Sequence, residues 1–144
     1  MARSDTALNS AAAEHLVLGH LLMAGVSAYK AYGNQPGFDL IAANPAEGKA
    51  ARIQVKSRFP TGAGGFPLKV ADGFDFLVFV RLNRGTRRRP EPSPPIFYVF
   101  PSDVIQAAHR PGRFSKVVLR DIPNNDDYRD RWDLITTFLV FPDS

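Results

Sequence analysis

Apolar positions along the chain change rhythm several times, and the changes mark out the elements. Residues 8–25 are rich in Ala and Leu, which predicts a helix that stops at Gly25. Residues 1–7 read as a frayed start. Short apolar runs bounded by turn residues then predict strands over 26–32, 38–43, 51–57, 74–82 and 96–100. Gly33, Asn34, Pro36 and Gly37 form one turn cluster, and the stretch from Pro45 to Gly48 has hairpin-loop chemistry. The 74–82 run is almost continuously apolar, as a central strand buried on both faces requires. Ser102 is the expected cap of a short helix reaching His109. A small strand over 117–119 and a last helix over 126–138, around Trp132, complete the set. Residues 59–67, with Gly62, Gly64 and Gly65, read as a mobile loop. This order predicts an α/β sandwich around a mixed sheet.

Composition narrows the class. At 144 residues with 44% hydrophobic and 22% charged side chains, the chain fits one globular domain, 1–144. It has no cysteine, which excludes disulfides, thiolate metal sites and a cysteine nucleophile. No run reaches the roughly 18 uncharged apolar residues of a membrane span, and the N-terminus lacks the form of an export signal. A cytoplasmic protein with no membrane partner is the expectation. Residues 1–120 carry 16 basic and 8 acidic side chains, whereas 121–144 carry 2 and 6. A basic body with an acidic tail suits a polyanionic partner such as nucleic acid, or simply a solvated surface.

Three polar residues or groups sit where the pattern expects something else. At about 100° per residue, Glu14 falls within roughly 20° of Leu21 and Gly25 and 40° of Leu18, inside the apolar stripe, with Ala11 and Leu22 on the same side. A carboxylate there is costly unless it is paired. Asp39 lies at the start of a strand that disfavours it. In Arg52-Ile53-Gln54-Val55-Lys56-Ser57, Gln54 and Lys56 share one face. Taken singly, each has a plainer reading: a helix phase slightly misjudged, a turn aspartate, a polar outer face.

The hairpin loop joins two of these. If the loop is residues 45–48, Asn44 pairs with Lys49, and the same register sets Asp39 opposite Gln54. Glu14 joins them if the first helix packs across that face. Such a cluster suits metal-assisted phosphodiester hydrolysis. Asp39 would supply an anionic ligand to Mg²⁺, with Mn²⁺ as a substitute, and the Gln54 side-chain oxygen and Val55 carbonyl would supply neutral ones. Lys56 would stand beside the attacking water.

Gly37-Phe38-Asp39-Leu40 followed by Ile53-Gln54-Val55-Lys56-Ser57, after a helix bearing Glu14, resembles the PD-(D/E)XK nuclease superfamily, which includes restriction endonucleases and Holliday junction resolvases. The resemblance covers roughly residues 8–105, leaving 120–144 as a C-terminal helical extension. It implies a restriction-endonuclease-like three-layer sandwich with a central mixed sheet of about five strands. It implies a Mg²⁺-dependent DNA endonuclease in which Asp39 and Gln54 hold metal, Lys56 is the motif lysine and Glu14 is the first-helix acid. Two residues depart from the pattern: the nearest proline, Pro36, lies three residues before Asp39, and Gln54 stands at the second acidic position.

Arg84, Arg87, Arg88 and Arg89, followed by four prolines, are candidates for phosphate contact, as are Arg58 and Lys69. The partner is expected to be DNA, duplex or branched. One site cuts one strand, so cutting both strands would favour a homodimer. His15 and His20 are five apart, wrong for two ligands on one helix face. Trp132, Tyr128, Leu134 and Ile135 read as anchors of the last helix rather than base-stacking groups. Two other functions fit the same chain: a nucleic-acid-binding module that has lost catalysis, motivated by Gln54, and a protein-interaction domain using the acidic tail.

Overall fold

The computed structural model describes residues 5–31 and 37–140. Tyr32 and the turn residues Gly33, Asn34 and Pro36 lie outside the described residues. The first helix, α1 (Thr6–Met23), begins earlier than expected because Asp5 caps it: its Oδ1 accepts from the amides of Ala7 (3.0 Å) and Leu8 (3.2 Å). Gly25, at φ +82°, ends it. Its buried line is Ala13, Val17 and Leu21. Leu22 is 53% exposed, so the stripe lies around the helix from where Leu18 and Leu22 would have centred it. Glu14 therefore sits at the border of that stripe, not in its middle.

Five strands form the main sheet in the order β1, β2, β3, β5, β6. They are β1 (Ser27–Lys30), β2 (Leu40–Asn44), β3 (Lys49–Arg58), β5 (Phe76–Arg81) and β6 (Ile96–Pro101); β4 (Gly65–Pro67) lies elsewhere. Only β3 and β5 run parallel; the other neighbours are antiparallel. The β2–β3 loop is a single 3₁₀ turn, Pro45–Glu47, and it fixes the expected register, with Asn44 opposite Lys49 and Leu40 opposite Ile53.

Each face of the sheet is covered. Ile53, Val55, Val78, Val80 and Val99 pack under α1 and α3 (Asp133–Val140). Leu77, Phe79, Tyr98 and Phe100 pack with Ile105 and Ala108 of α2 (Ser102–Ala108) and with Phe66 and Val117. The result is a three-layer α/β sandwich with its mixed sheet in the middle. Strand β5, buried at five of its six positions, is the apolar centre.

Three local expectations change. Residues 59–67 are not a mobile loop throughout: β4 pairs with β7 (Lys116–Val118) as a second, two-stranded sheet. Gly65 is needed for this approach, since a Cβ there would collide with the Val117 carbonyl oxygen. Ser102 is the first helical residue rather than the cap, and Pro101 takes the cap position without a side-chain bond. The expected helix over 126–138 is broken. A 3₁₀ turn, Asn125–Tyr128, is followed by a bridge from Arg129 to Tyr98, and Asp130, at φ +52°, donates its amide to the Phe97 carbonyl (3.0 Å). Pairing with the edge of β6 thus overrides helix continuation, and α3 starts only at Asp133. Trp132 anchors the segment as expected, stacked on His20 at 5.1 Å and packed against Phe97.

Candidate active site at the parting of β2 and β3

Strand β2 stops at Leu40, while β3 runs on for five residues past Leu40's partner Ile53, with only β5 beside it. The edge of β3 from Val55 onward has lost a neighbour, and a cavity of about 420 Å³ opens there. Glu14, Asp39, Gln54, Val55 and Lys56 all line it.

Asp39 is the best-fixed member. Its amide donates to the Ile53 carbonyl (2.8 Å) and its carbonyl accepts from Ala31 (2.9 Å), so the backbone is held between β1 and β3 just beyond β2 proper. The strand expected to start at Phe38 starts at Leu40, one residue after Asp39. The carboxylate is held too: Oδ2 accepts from the Val55 amide (2.9 Å) and from Gln54 Nε2 (3.1 Å). Burial pushes the Asp39 carboxyl above the usual aspartate range; the Val55 N–H bond opposes this, Glu14 adds to it, and Lys56 and Lys30 pull it back down.

Gln54 and Lys56 share the face of β3 that alternates with Ile53 and Val55, as the period of two requires. The Lys56 amine lines the cavity, and its charge is felt at Asp39. Glu14 approaches by a different route from the one expected. Helix α1 packs on the Ile53 and Val55 side, not across the Gln54 and Lys56 face. Glu14 therefore reaches the cavity from the helix layer, beside the edge that β2 has vacated. Its side chain is 19% exposed, and its Oε1 lies 3.3 Å from Lys30 Nζ.

Lys30 is the partner that sequence reasoning missed. Its signal was available: a lone lysine ending the strand before the turn cluster, opposite Leu40 and so next to Asp39. The other basic candidates disperse. Arg58 continues the Gln54 and Lys56 face, with its guanidinium over Gly64 and its Nε buried without a partner. Arg84 secures its own loop, donating to the carbonyls of Leu82 (2.8 Å) and Ser93. Arg87, Arg88 and Arg89 are exposed, and neither they nor Lys69 line this cavity.

Among the described residues no three His, Asp or Glu side chains gather as a metal cage. A cation at this site would draw instead on one carboxylate, neutral oxygens and water, a donor set that fits a hard ion such as Mg²⁺. The N–H and C=O of one strand residue point to the same strand edge. The Val55 amide reaches Asp39, so the Val55 carbonyl faces the same vacated edge. Gln54 would present its amide oxygen by turning the amide that now donates to Asp39.

No family model matches the chain, and no curated protein matches it significantly. Among solved structures, it is similar to that of a bacterial homing endonuclease, I-Ssp6803I, with 26% sequence identity over 92% of this chain and 93% of that one, at a TM-score of 0.60.

Proposed function

We propose that this chain is a metal-dependent endonuclease of the PD-(D/E)XK kind that hydrolyses phosphodiester bonds in DNA. The observation that carries the reading is the convergence of Asp39, Gln54, Val55 and Lys56 on one cavity at the parting of β2 and β3. The end-to-end likeness to a homing endonuclease supports it.

Asp39, the Gln54 amide oxygen and the Val55 carbonyl would hold Mg²⁺ or Mn²⁺, with Glu14 at the margin. When bound, the ion would polarise the phosphate and acidify water. The chain's own groups do the rest. The Val55 N–H and the two backbone bonds of Asp39 fix the carboxylate before any ligand arrives, so little reorganisation remains. The Lys56 ammonium, which lines the same cavity, would orient a water and offset charge on the phosphate oxygens. Water attack forms a new P–O bond as the water loses a proton to solvent, and the bond to the leaving sugar oxygen breaks as that oxygen takes up a proton from solvent. Cutting both strands of a duplex calls for two such sites, and we propose a two-fold dimer; light scattering that finds only monomer with and without DNA would remove that part.

A second reading has its own observation. Gln54 donates to the Asp39 oxygen that a metal would need, which suits a binding module without catalysis. Incubation of the pure chain with supercoiled, branched and single-stranded DNA in Mg²⁺ or Mn²⁺ separates the two. Nicking that disappears in Lys56→Ala supports the nuclease. Binding without cleavage supports the module, and cleavage that survives Lys56→Ala overturns the assignment of Lys56.

A further inference from the structure

A second cavity, larger than the first at about 930 Å³, opens on the small β4–β7 sheet. Lys69, Arg113, Lys116 and Arg120 line it together with Phe114, and no acidic side chain does. Phe114 is 78% exposed, with the Arg113 guanidinium 5.5 Å from its ring centre. Pro67 lines both this groove and the catalytic cavity, so the two adjoin.

The groove is preformed. Lys116 exchanges both backbone bonds with Arg110 (2.8 and 3.1 Å), Leu68 donates to Ser115 (3.1 Å), and Leu119 donates to Gly64 (3.0 Å). Asp121, the nearest acid along the chain, is taken up by Arg110 through a bidentate pair at 2.6 and 2.8 Å. Four exposed cations thus line the groove with an exposed aromatic ring, and among the described residues no carboxylate lines it, although Lys116 and Arg120 feel the charge of Asp121. A large exposed phenylalanine has no role in the core, whereas a cation–aromatic surface of this kind suits nucleic acid, with phosphates met by Lys and Arg and a base met by the ring.

We propose that the β4–β7 groove carries the DNA backbone as it leaves the catalytic cavity, with Lys69, Arg113, Lys116 and Arg120 contacting phosphates and Phe114 lying against a base. This rests on the nuclease reading and adds its substrate path. The 84–89 loop lines neither cavity, whereas this groove adjoins the catalytic one.

The test is fluorescence anisotropy of a labelled DNA duplex, without divalent metal, across a salt series, using the full chain. Lys69→Ala, Arg113→Ala and Arg120→Ala combined should lower the slope of log affinity against log salt by roughly 2.7, about 0.9 for each lost contact. Phe114→Ala should weaken binding about tenfold and abolish the quenching seen at one position when 2-aminopurine is scanned along the DNA. All four positions are exposed, so melting temperatures should stay at the parent value. If the parent cleaves DNA while the triple variant binds and cleaves as the parent does, the groove proposal is overturned and the nuclease stands. If the parent binds no DNA at any salt, both fall. If Phe114→Ala changes self-association but not DNA affinity, the ring belongs to a contact between copies, and its assignment to DNA is wrong.

Discussion

The two ends of strand β3 carry similar polar residues and put them to different uses. At the Lys49 end, β2 runs alongside, and the hairpin is tied down by α3: Asn44 donates to the Leu139 carbonyl (3.0 Å) and Lys49 to that of Phe138 (3.3 Å). Arg52 is closed off by Asp75, whose carboxylate accepts from both the Arg52 backbone amide (2.8 Å) and its guanidinium (3.3 Å). At the far end β2 is no longer alongside, and Gln54 and Lys56 line a cavity, with Gln54 donating to Asp39 across its edge (3.1 Å). Chemistry along a regular strand is thus set less by residue type than by whether the neighbouring strand is still there.

The sharpest way to break this contrast is to remove a cavity residue and compare it with Arg52. Lys56→Ala and Asp39→Asn should each lower DNA cleavage about a thousandfold in single-turnover assays. Asp39→Asn should not lower the melting temperature of the metal-free protein at neutral pH. Burial raises the Asp39 pKa above its unfolded value, so its contribution to stability is fully present below the unfolded pKa and is lost as pH rises through the folded one. The variant should therefore gain relative to the parent from acid to neutral pH in thermal melts; a relative loss would show that the ionised carboxylate is a structural support.

Next in size is Glu14→Gln, expected to slow cleavage by about tenfold, since Glu14 stands at the cavity margin and is engaged by Lys30. Gln54→Glu sharpens the comparison in the other direction. A second carboxylate beside Asp39 should lower the melting temperature without metal through like-charge repulsion, and should enlarge the stabilisation by Mg²⁺ by about 1 kcal/mol, read by melts across a metal series. The smallest effect belongs to the closed end: Arg52→Ala should cost about 0–1 kcal/mol in denaturant unfolding and leave cleavage at the parent rate, because its ion pair is half exposed and remote from the cavity.

This comparison also explains what could be read from the residues. The β2–β3 register, and with it Asp39 facing Gln54, was legible because a short loop between two alternating segments admits few pairings. The central place of β5 followed from its unbroken apolar run. The phase of α1 was not: with Ala and Leu on most sides, local pattern did not single out Ala13, Val17 and Leu21 as the buried line, so Glu14 was placed too deep and on the wrong layer. The β4–β7 pairing joins segments some fifty residues apart in the chain, and no local signal in the glycine-rich stretch announces it. The broken helix before Asp133 likewise yields to contacts with β6 that exist only in three dimensions. Lys30 was missed because its value depends on where β1 ends relative to Asp39.

Everything proposed for the vacated edge of β3 requires that Asp39 hold a divalent cation there. A crystal of this chain soaked in Mn²⁺ and measured at the manganese absorption edge addresses it directly. An anomalous peak is expected within coordination distance of the Asp39 carboxylate and the Val55 carbonyl, absent in Asp39→Asn. A well-ordered cavity with no such peak at saturating Mn²⁺, or a peak unaffected by Asp39→Asn, would contradict it.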